Sequence, residues 1–382
     1  MARDLAAKSC VLLKNDRQAL PLKKSGSIAL VGPLADSRIN MNGTWAVSGD
    51  YRIAVTIKEG IEEAVGNAVQ VRYAKGANIT DDPEMMRRAN VFGEQVVKDA
   101  RTPEAMIEEA LAQANASDVV VAVVGEAADM SGEASSRTTI GLPESQKALL
   151  KALAGTGKPV VMVLLTGRPL TLEWENDQMT AILNIWFGGM ETGHGIADVL
   201  FGSVNPGGKL TTTFPRSVGQ IPIYYNARNT GRPQDVSRPN EKFRSNYLDE
   251  SNLPLYPFGY GLSYTTFAYS DLTMSHTQIS GQQTLTASVT LTNTGLYDGS
   301  EVVQLYLRDM AGSVTRPLKE LKGFQKIFLK AGESRTVSFN ITPEHLKFYN
   351  YDLNYDWEAG DFTVMIGSDS GNVKSAVVNW KK

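Results

Sequence analysis

The stretch DVVVAVVGEAADMSGEASSRTTIGL, residues 118–142, joins an apolar run to a long polar loop, and together they indicate the fold class. Its first part, Asp118–Val124, is continuously apolar, which is typical of a strand covered on both faces in a parallel sheet. The loop that follows, residues 125–142, is long for a connection between a strand and a helix. Because ligands in open α/β sheets bind beyond the carboxyl ends of strands, we expect a functional site in this loop.

Segments on both sides of this stretch alternate between strand and helix patterns. Thr102-Pro103-Glu104 combines an N-cap residue, a proline at the first helical position and an acidic first turn, and so predicts the start of a helix. Pro143-Glu144 predicts a second helix that ends near Gly155. Further strands are predicted at 27–31, 159–165 and 180–186, and a further helix at 191–201. We therefore predict an α/β domain over residues 1–215, with a mostly parallel sheet sandwiched by helices.

The periodicity changes in the last third of the chain. From about residue 268 onward apolar and polar residues alternate, as in 285–291, and Asn293-Thr294-Gly295 predicts a turn. Short alternating strands separated by turns are typical of an immunoglobulin or fibronectin type III-like all-β sandwich, which we predict for residues 268–382. Residues 216–267 show no sustained period but end in the aromatic stretch LPLYPFGYGLSYTTF (253–267), which indicates an ordered connection.

The composition excludes several classes of protein. The chain has 382 residues, beyond the size at which a single hydrophobic core usually stops growing, so we expect two domains. A hydrophobic content of 42% and a charged content of 21% exclude disordered and fibrous proteins. The balance of 38 basic and 41 acidic residues offers no electrostatic footprint for nucleic acid or an anionic membrane. No apolar run approaches the roughly 18 residues of a membrane-spanning helix.

Cysteine and glycine patterns argue against two further kinds of site. Cys10 is the single cysteine, which excludes an intrachain disulfide and a cysteine-based zinc site. The stretches GTGK (155–158) and GGK (207–209) lack the glycine spacing and the following helix of a phosphate loop. A flavodoxin-like regulator that binds nucleotide is therefore disfavoured. The N-terminal MARDLAAKSC has charges where a signal peptide is apolar, so we predict no export segment within the chain.

Loop 125–142 carries Glu126, Asp129, Glu133 and Arg137 among small residues. A carboxylic acid in such a loop acts as a general acid when a partner surface desolvates it and raises its pKa. The alternative is a solvated acidic loop without a catalytic role. The residues of the loop leave both interpretations open.

This loop and the segments around it resemble the C-terminal part of a glycoside hydrolase family 3 β-glucosidase. Eight segments carry the resemblance, in the family's order and over nearly the whole chain. They are AAKSCVLLKNDRQALPL (6–22), IALVGPLAD (28–36), DVVVAVVGE (118–126), SGEASSR (131–137), IWFGGMETGHGIADVLFGSVNPGGKL (185–210), LYPFGYGLSYTTF (255–267), VTLTNTGLYDGSEVVQLYL (289–307) and RPLKELKGFQKIFLKAGES (316–334).

The resemblance implies a retaining β-glycosidase built from three modules. A (β/α)₈ barrel binds the sugar and carries an aspartate nucleophile, an α/β sandwich lends the acid/base glutamate from a loop, and a fibronectin type III-like domain follows. The acid/base maps to Glu133, in Ser131-Gly132-Glu133, with Glu126 at the strand end as the alternative. No cofactor and no metal is implied.

Other residues acquire roles from the same resemblance. Gly43-Thr44-Trp45 resembles the family's Gly-Trp loop, so Trp45 is expected either to flank the leaving-group sugar or to fill a domain interface. Arg137 is expected either to bind a sugar hydroxyl or to orient Glu133. Glu191 and His194 belong to a family motif that we interpret as structural.

The chain departs from the family in having no segment that matches the barrel, since its start corresponds to the start of the second module. A retaining mechanism needs two carboxyl groups about 5–5.5 Å apart, and this chain supplies only the acid/base. We therefore expect a barrel module or subunit as a partner, a β-glucoside or cello-oligosaccharide as substrate, and little activity from the isolated chain. The alternative is a non-catalytic carbohydrate-binding or assembly module.

Two further expectations come from the family. Relatives are often periplasmic or secreted, so the resemblance suggests such a location. In dimeric relatives a loop such as 308–316 would reach the active site of a neighbour, which makes a homodimer a further hypothesis, with a surface loop without function as its alternative.

Overall fold

A computed structural model of the chain describes residues 1–234, 237–238 and 241–382. The chain divides into two units, Met1–Lys209 and Leu210–Lys382. The connection predicted over 216–267 includes residues 235–236 and 239–240, which lie outside the described residues. Within the described ranges, no helix is long and apolar enough to cross a membrane.

The first unit is built on a six-stranded sheet with the strand order β1-β6-β5-β4-β2-β3. All neighbouring strands are parallel except the edge strand β1, which runs antiparallel to β6. The strands are β1 (Val11–Asn15), β2 (Gly26–Val31), β3 (Val69–Ala74), β4 (Val119–Gly125), β5 (Val160–Leu165) and β6 (Ala181–Asn184). Every residue of β5 is buried, and all but the first of β4, so both faces of the sheet are covered. The predicted α/β class is confirmed.

Seven helices accompany this sheet among the described residues. They are α1 (Ala2–Ser9), α2 (Ile57–Val65), α3 (Pro83–Ala89), α4 (Pro103–Asn115), α5 (Glu144–Ala154), α6 (Glu173–Gln178) and α7 (Thr192–Leu200). The start predicted for α4 is confirmed, because the Thr102 side chain accepts a hydrogen bond from the Ala105 N–H (3.3 Å) and Pro103 occupies the first turn. The start predicted for α5, just after Pro143, is confirmed as well.

The second unit is β-rich, as predicted. Its strands are β7 (Phe267–Tyr269), β8 (Thr273–Met274), β9 (Gln278–Ser280), β10 (Leu285–Asn293), β11 (Gly299–Asp309), β12 (Glu320–Leu329), β13 (Ser334–Ile341), β14 (Phe348–Tyr349), β15 (Tyr355–Asp356), β16 (Gly360–Gly367) and β17 (Val373–Lys381). One sheet has the order β13-β10-β7 with β8 beside β10, a second has the order β12-β11-β16-β17-β9, and β14 pairs with β15. Buried and half-buried residues alternate along the whole of β10, which is the predicted period of two.

One hydrophobic core joins the two larger sheets of this unit. It combines Leu285 and Leu291 of β10 with Leu305 of β11, Ile366 of β16 and Trp380 of β17. Residues from both sheets thus face the same apolar interior, which is the arrangement of a β-sandwich.

Residues 210–266 also belong to the second unit. Phe214 forms an antiparallel bridge with Tyr256, and the Leu210 N–H donates to the Tyr260 carbonyl (2.8 Å). The two ends of this segment are therefore held together by backbone hydrogen bonds.

Candidate active site

The candidate site is formed by the loop that leaves β4, and its first residue is a buried carboxylate. Glu126 is fully buried, and its Oε2 atom accepts a hydrogen bond from the Thr166 hydroxyl (2.8 Å). Its Oε1 atom lies 2.9 Å from Arg137 Nη1 and 3.1 Å from Arg168 Nε. Because an isolated buried charge is very unfavourable, these two ion pairs compensate for the burial of the Glu126 carboxylate.

Both arginines also hold the loop backbone. Arg137 Nη2 donates to the Gly141 carbonyl (3.0 Å), near the end of the loop. Arg168 Nη2 donates to the carbonyls of Met130 and of Ser135, the latter at 2.6 Å. Glu126 is therefore the centre of an ionic network that fixes the loop on both sides of Glu133.

Three residues from other segments bind the same loop. Asn40 Oδ1 accepts from the Ala128 N–H (2.8 Å), and Gln95 Oε1 accepts from the Asp129 N–H (2.8 Å). The hydroxyl of Thr44, beside Trp45, contacts the carbonyl oxygens of Ala128 and, at 2.7 Å, Ser131. The Gly-Thr-Trp segment and the acidic loop thus form one braced structure.

Glu133 lies at the tip of this braced loop, with its side chain exposed. The residues on either side have positive φ angles, +113° at Gly132 and +56° at Ala134. A side chain at Gly132 would also clash with Thr44, since its Cβ would lie 2.8 Å from Thr44 Cγ2. The backbone therefore turns sharply around Glu133 and presents its carboxyl group outward.

A cleft of about 1100 Å³ opens beside the loop, within the first unit. The three predicted site residues, Trp45, Glu133 and Arg137, all line it, together with Asp129. Much of the remaining wall is apolar and exposed, with Trp45 72% and Phe92 85% exposed. The cleft therefore combines acidic side chains with aromatic surface, which is a suitable lining for a sugar ring.

The structure distinguishes the two glutamates of the loop. Glu126 is buried and engaged by two arginines, whereas Glu133 is exposed at the cleft. Arg137 lines the cleft, but its guanidinium group donates hydrogen bonds to Glu126 and to the Gly141 carbonyl. The geometry therefore supports a positioning role for Arg137.

Sequence reasoning missed the residues that brace the loop. Arg168 is the third residue after the end of β5, so the rule that sites form at the carboxyl ends of neighbouring parallel strands would have drawn attention to it. Asn40 ends the short 3₁₀ helix Arg38–Asn40, and Gln95 and Phe92 lie in irregular segments. None of the three carries a comparable signal in the sequence.

His194, in α7, lies outside this cleft lining. Its Nδ1 atom is 2.6 Å from Glu191 Oε2, and its Nε2 atom is 2.9 Å from Glu63 Oε2 of α2. Hydrogen bonding to Glu191, assisted by that to Glu63, raises the pKa of His194 although partial burial opposes the shift. The imidazole thus connects α2 and α7, consistent with the structural role predicted for its motif.

Comparison with known proteins identifies the family. Residues 10–264 match the model of the glycosyl hydrolase family 3 C-terminal domain, and residues 301–370 match that of the fibronectin type III-like domain. The chain belongs to glycoside hydrolase family 3. The resemblance stated from the sequence motifs is thereby confirmed.

Individual family 3 relatives agree with this assignment. A periplasmic β-glucosidase of Salmonella typhimurium is 55% identical over 98% of this chain and 49% of its own length. A β-xylosidase of Formosa agariphila is 41% identical over 97% of this chain and 48% of its own length. The crystal structure of a Listeria innocua β-glucosidase in complex with isofagomine superposes with a TM-score of 0.89 at 38% identity, covering 100% of this chain and 50% of that one. The chain thus spans about half the length of these family members.

Proposed function

We propose that this chain supplies the general acid/base of a retaining β-glucosidase whose nucleophile lies on an N-terminal barrel domain. The observation that carries the proposal is the placement of Glu133, exposed at the tip of a braced loop and lining a cleft with Trp45. The names of the Salmonella and Listeria relatives supply the substrate class, a terminal β-glucoside.

Each half-reaction would use Glu133 in a different protonation state. In the first, the nucleophilic carboxylate attacks the anomeric carbon, the glycosidic C–O bond breaks, and the carboxylic acid of Glu133 gives its proton to the departing oxygen. In the second, the Glu133 carboxylate takes a proton from water, whose oxygen attacks the same carbon and releases the nucleophile. The acid is thus regenerated after each turnover.

The first step requires Glu133 to be protonated near neutral pH. In this chain its side chain is exposed, and a partner surface that desolvates a carboxyl group favours the neutral acid. The exposed apolar residues beside it, Trp45, Val47 and Phe92, form a surface suited to such a partner. A barrel domain that covers part of this face would complete the two-carboxylate site.

Trp45 and Arg137, the other predicted site residues, take supporting roles in this proposal. Trp45 offers its ring to the apolar face of the leaving-group sugar. Arg137 acts through Glu126 and the loop backbone, so it positions Glu133 without needing to touch substrate. No step of this mechanism calls for a cofactor or a metal.

Two wider features follow from relatives. An extracytoplasmic location is proposed because the Salmonella relative is a periplasmic β-glucosidase. A homodimer in which loop 308–316 reaches a neighbour stays a hypothesis. Arg316 of that loop is engaged within its own unit, 3.9 Å above the Phe348 ring and 2.9 Å from Glu320.

The proposal is tested by Glu133→Gln in a complete enzyme, made by joining this chain to the N-terminal half of the Salmonella β-glucosidase. We expect kcat/KM for cellobiose to fall about 10²–10⁴-fold, since general acid–base catalysis contributes about that much. The loss should be smaller for 2,4-dinitrophenyl β-glucoside, whose leaving group needs less protonation.

The control is Glu108→Gln, which alters an exposed glutamate of α4 and should leave both rates near wild type. Wild-type rates in the Glu133→Gln enzyme would refute the acid/base role and favour a binding or assembly module. The chain without the barrel half serves as the background, and turnover by it alone would refute a nucleophile on another domain.

A further inference from the structure

We propose that the segment 166–168, directly after β5, positions the acid/base Glu133, so that Arg168 and Gly167 govern acid catalysis without touching substrate. The inference rests on the proposed function and assigns two positioning residues to the same site. Arg168 fixes both ends of the loop tip that carries Glu133, and Gly167 sets how closely this tip packs on the end of β5.

Arg168 holds both ends of a short stretch of the loop. Its Nη2 atom donates to the Met130 carbonyl and to the Ser135 carbonyl (2.6 Å), and only residues 131–134 lie between these two anchors. That stretch contains Glu133 and the sharp turn around it. One guanidinium group therefore fixes the backbone shortly before Glu133 and again shortly after it.

The position of Arg168 is itself fixed by the ends of two central strands. Its N–H donates to the Thr166 hydroxyl (3.2 Å), which donates to Glu126 Oε2 (2.8 Å). Its Nε atom lies 3.1 Å from Glu126 Oε1, and the Glu126 N–H donates to the Leu165 carbonyl (2.9 Å). Because β4 and β5 are buried parallel neighbours, the guanidinium group extends from a rigid support.

Gly167 contacts the same stretch of the loop at Ser131. A Cβ on Gly167 would lie 2.1 Å from Ser131 Oγ and 2.7 Å from Ser131 Cβ, closer than real Cβ atoms approach other atoms. Ser131 is 6% exposed, so it is packed on its other sides as well. A side chain at position 167 would therefore displace the loop tip, and glycine lets the tip pack directly on the segment after β5.

The distance between a general acid and the departing oxygen decides how well the proton is transferred. A displacement of about 1 Å in an active site can cost about 100-fold in rate. The Glu133 side chain is exposed, so the backbone of the tip sets where its carboxyl group can reach. A displaced Glu133 should slow poor leaving groups selectively, because they depend most on the proton.

The test uses Arg168→Lys and Gly167→Ala in the complete chimeric enzyme. Lysine keeps the positive charge but lacks the planar fork that reaches Glu126 and both carbonyls. For both variants kcat/KM for cellobiose should fall about 10–100-fold, whereas that for 2,4-dinitrophenyl β-glucoside should fall less than about threefold. The ratio of the two values does not depend on the fraction of enzyme that is folded.

Two double variants separate positioning from a general structural effect. Ser131→Gly removes both atoms that the new methyl group would meet, so adding Gly167→Ala to Ser131→Gly should leave the ratio unchanged. Adding Arg168→Lys to Glu133→Gln should change kcat/KM for cellobiose less than about twofold, because the acid that Arg168 positions is already absent. Full multiplication of the two losses would overturn the positioning role.

The matched controls are Arg101→Lys and Gly219→Ala, which should leave the ratio at its wild-type value. Arg101 pairs with Asp99 and Glu109 outside the cleft lining, and a Cβ on Gly219 would lie at an ordinary 3.7 Å from Ser217 Oγ.

Equal losses on both substrates in Arg168→Lys and Gly167→Ala would overturn the inference, since they indicate a folding or interface defect. If Glu133→Gln is impaired while Arg168→Lys and Gly167→Ala keep the wild-type ratio, the positioning role fails and the proposed function stands. Full activity of Glu133→Gln on cellobiose would remove the proposed function itself.

Discussion

At the scale of single residues, loop 125–142 shows how two glutamates seven positions apart acquire opposite environments. Glu126 comes directly after β4 and enters the interior, where Thr166, Arg137 and Arg168 bind it. Glu133 follows a glycine with positive φ and faces the cleft. The motif Ser-Gly-Glu indicates Glu133 as the candidate acid/base. The buried network around Glu126 depends on Arg168, which lies more than 40 positions further along the chain. Local sequence therefore does not predict that contact.

The first residue-scale prediction concerns this buried carboxylate. Glu126→Ala should lower the free energy of unfolding of the chain by about 3–5 kcal/mol, because two guanidinium groups would lose their buried counter-ion. Urea unfolding followed by circular dichroism measures the change.

Glu144→Ala is the control for this variant. Glu144 also pairs with a cation, Lys147 at 2.9 Å, but its side chain is 83% exposed, so its removal should alter stability by less than about 1 kcal/mol. Similar losses in the two variants would show that the Glu126 network does not stabilise the fold.

At the scale of elements, the parts that depend on local sequence are the predictable ones. The apolar run of β4, the capped start of α4 and the alternation in β10 each reflect a pattern within about ten residues. The packing of α2 on α7, in contrast, depends on residues that are distant in sequence. A Cβ on Gly60 of α2 would lie 2.1 Å from the carbonyl of Gly193 in α7, so the two backbones touch at glycines distant in sequence. No local pattern indicates that contact.

The ionic link between the same two helices gives a pH-dependent prediction. Hydrogen bonds that His194 donates to Glu191 and Glu63 raise the pKa of His194, so the protonated imidazole favours the folded state. The stability it adds is fully present below the unfolded pKa of about 6.5 and is lost as pH rises through the higher folded pKa. The difference in unfolding free energy between wild type and His194→Gln should therefore be largest near pH 6 and should shrink toward pH 9.

His276→Gln provides the comparison for this series, since His276 is an exposed histidine beside Ser275 in the second unit. Its replacement should change the free energy of unfolding little, because the side chain is exposed. A His194 difference that grows with pH would contradict a stabilising role for the protonated form.

At the scale of the whole molecule, the change from helical periods to a period of two predicts an α/β part followed by a β-sandwich. The segment between them is harder to assign, because residues 210–266 contain only one short 3₁₀ turn, at Val218–Gln220, among the described residues. Tertiary contacts decide its place. Tyr225 stacks on Phe258 with ring centroids 4.2 Å apart and meets Tyr306 of β11 edge-on at 5.9 Å.

These contacts predict where the sandwich can be separated as a stable piece. A fragment of residues 210–382 should unfold at a higher urea concentration than one of residues 268–382. The shorter fragment exposes Tyr306, which is fully buried in the chain. It also removes the hydrogen bond that the Gln304 side chain donates to the Gly259 carbonyl (3.1 Å).

Fragments 1–209 and 1–267 form the matched comparison, and their unfolding midpoints should agree, because residues 210–267 belong with the second unit. A more stable 1–267 fragment, with equal stability for the two sandwich fragments, would assign the segment to the α/β unit instead.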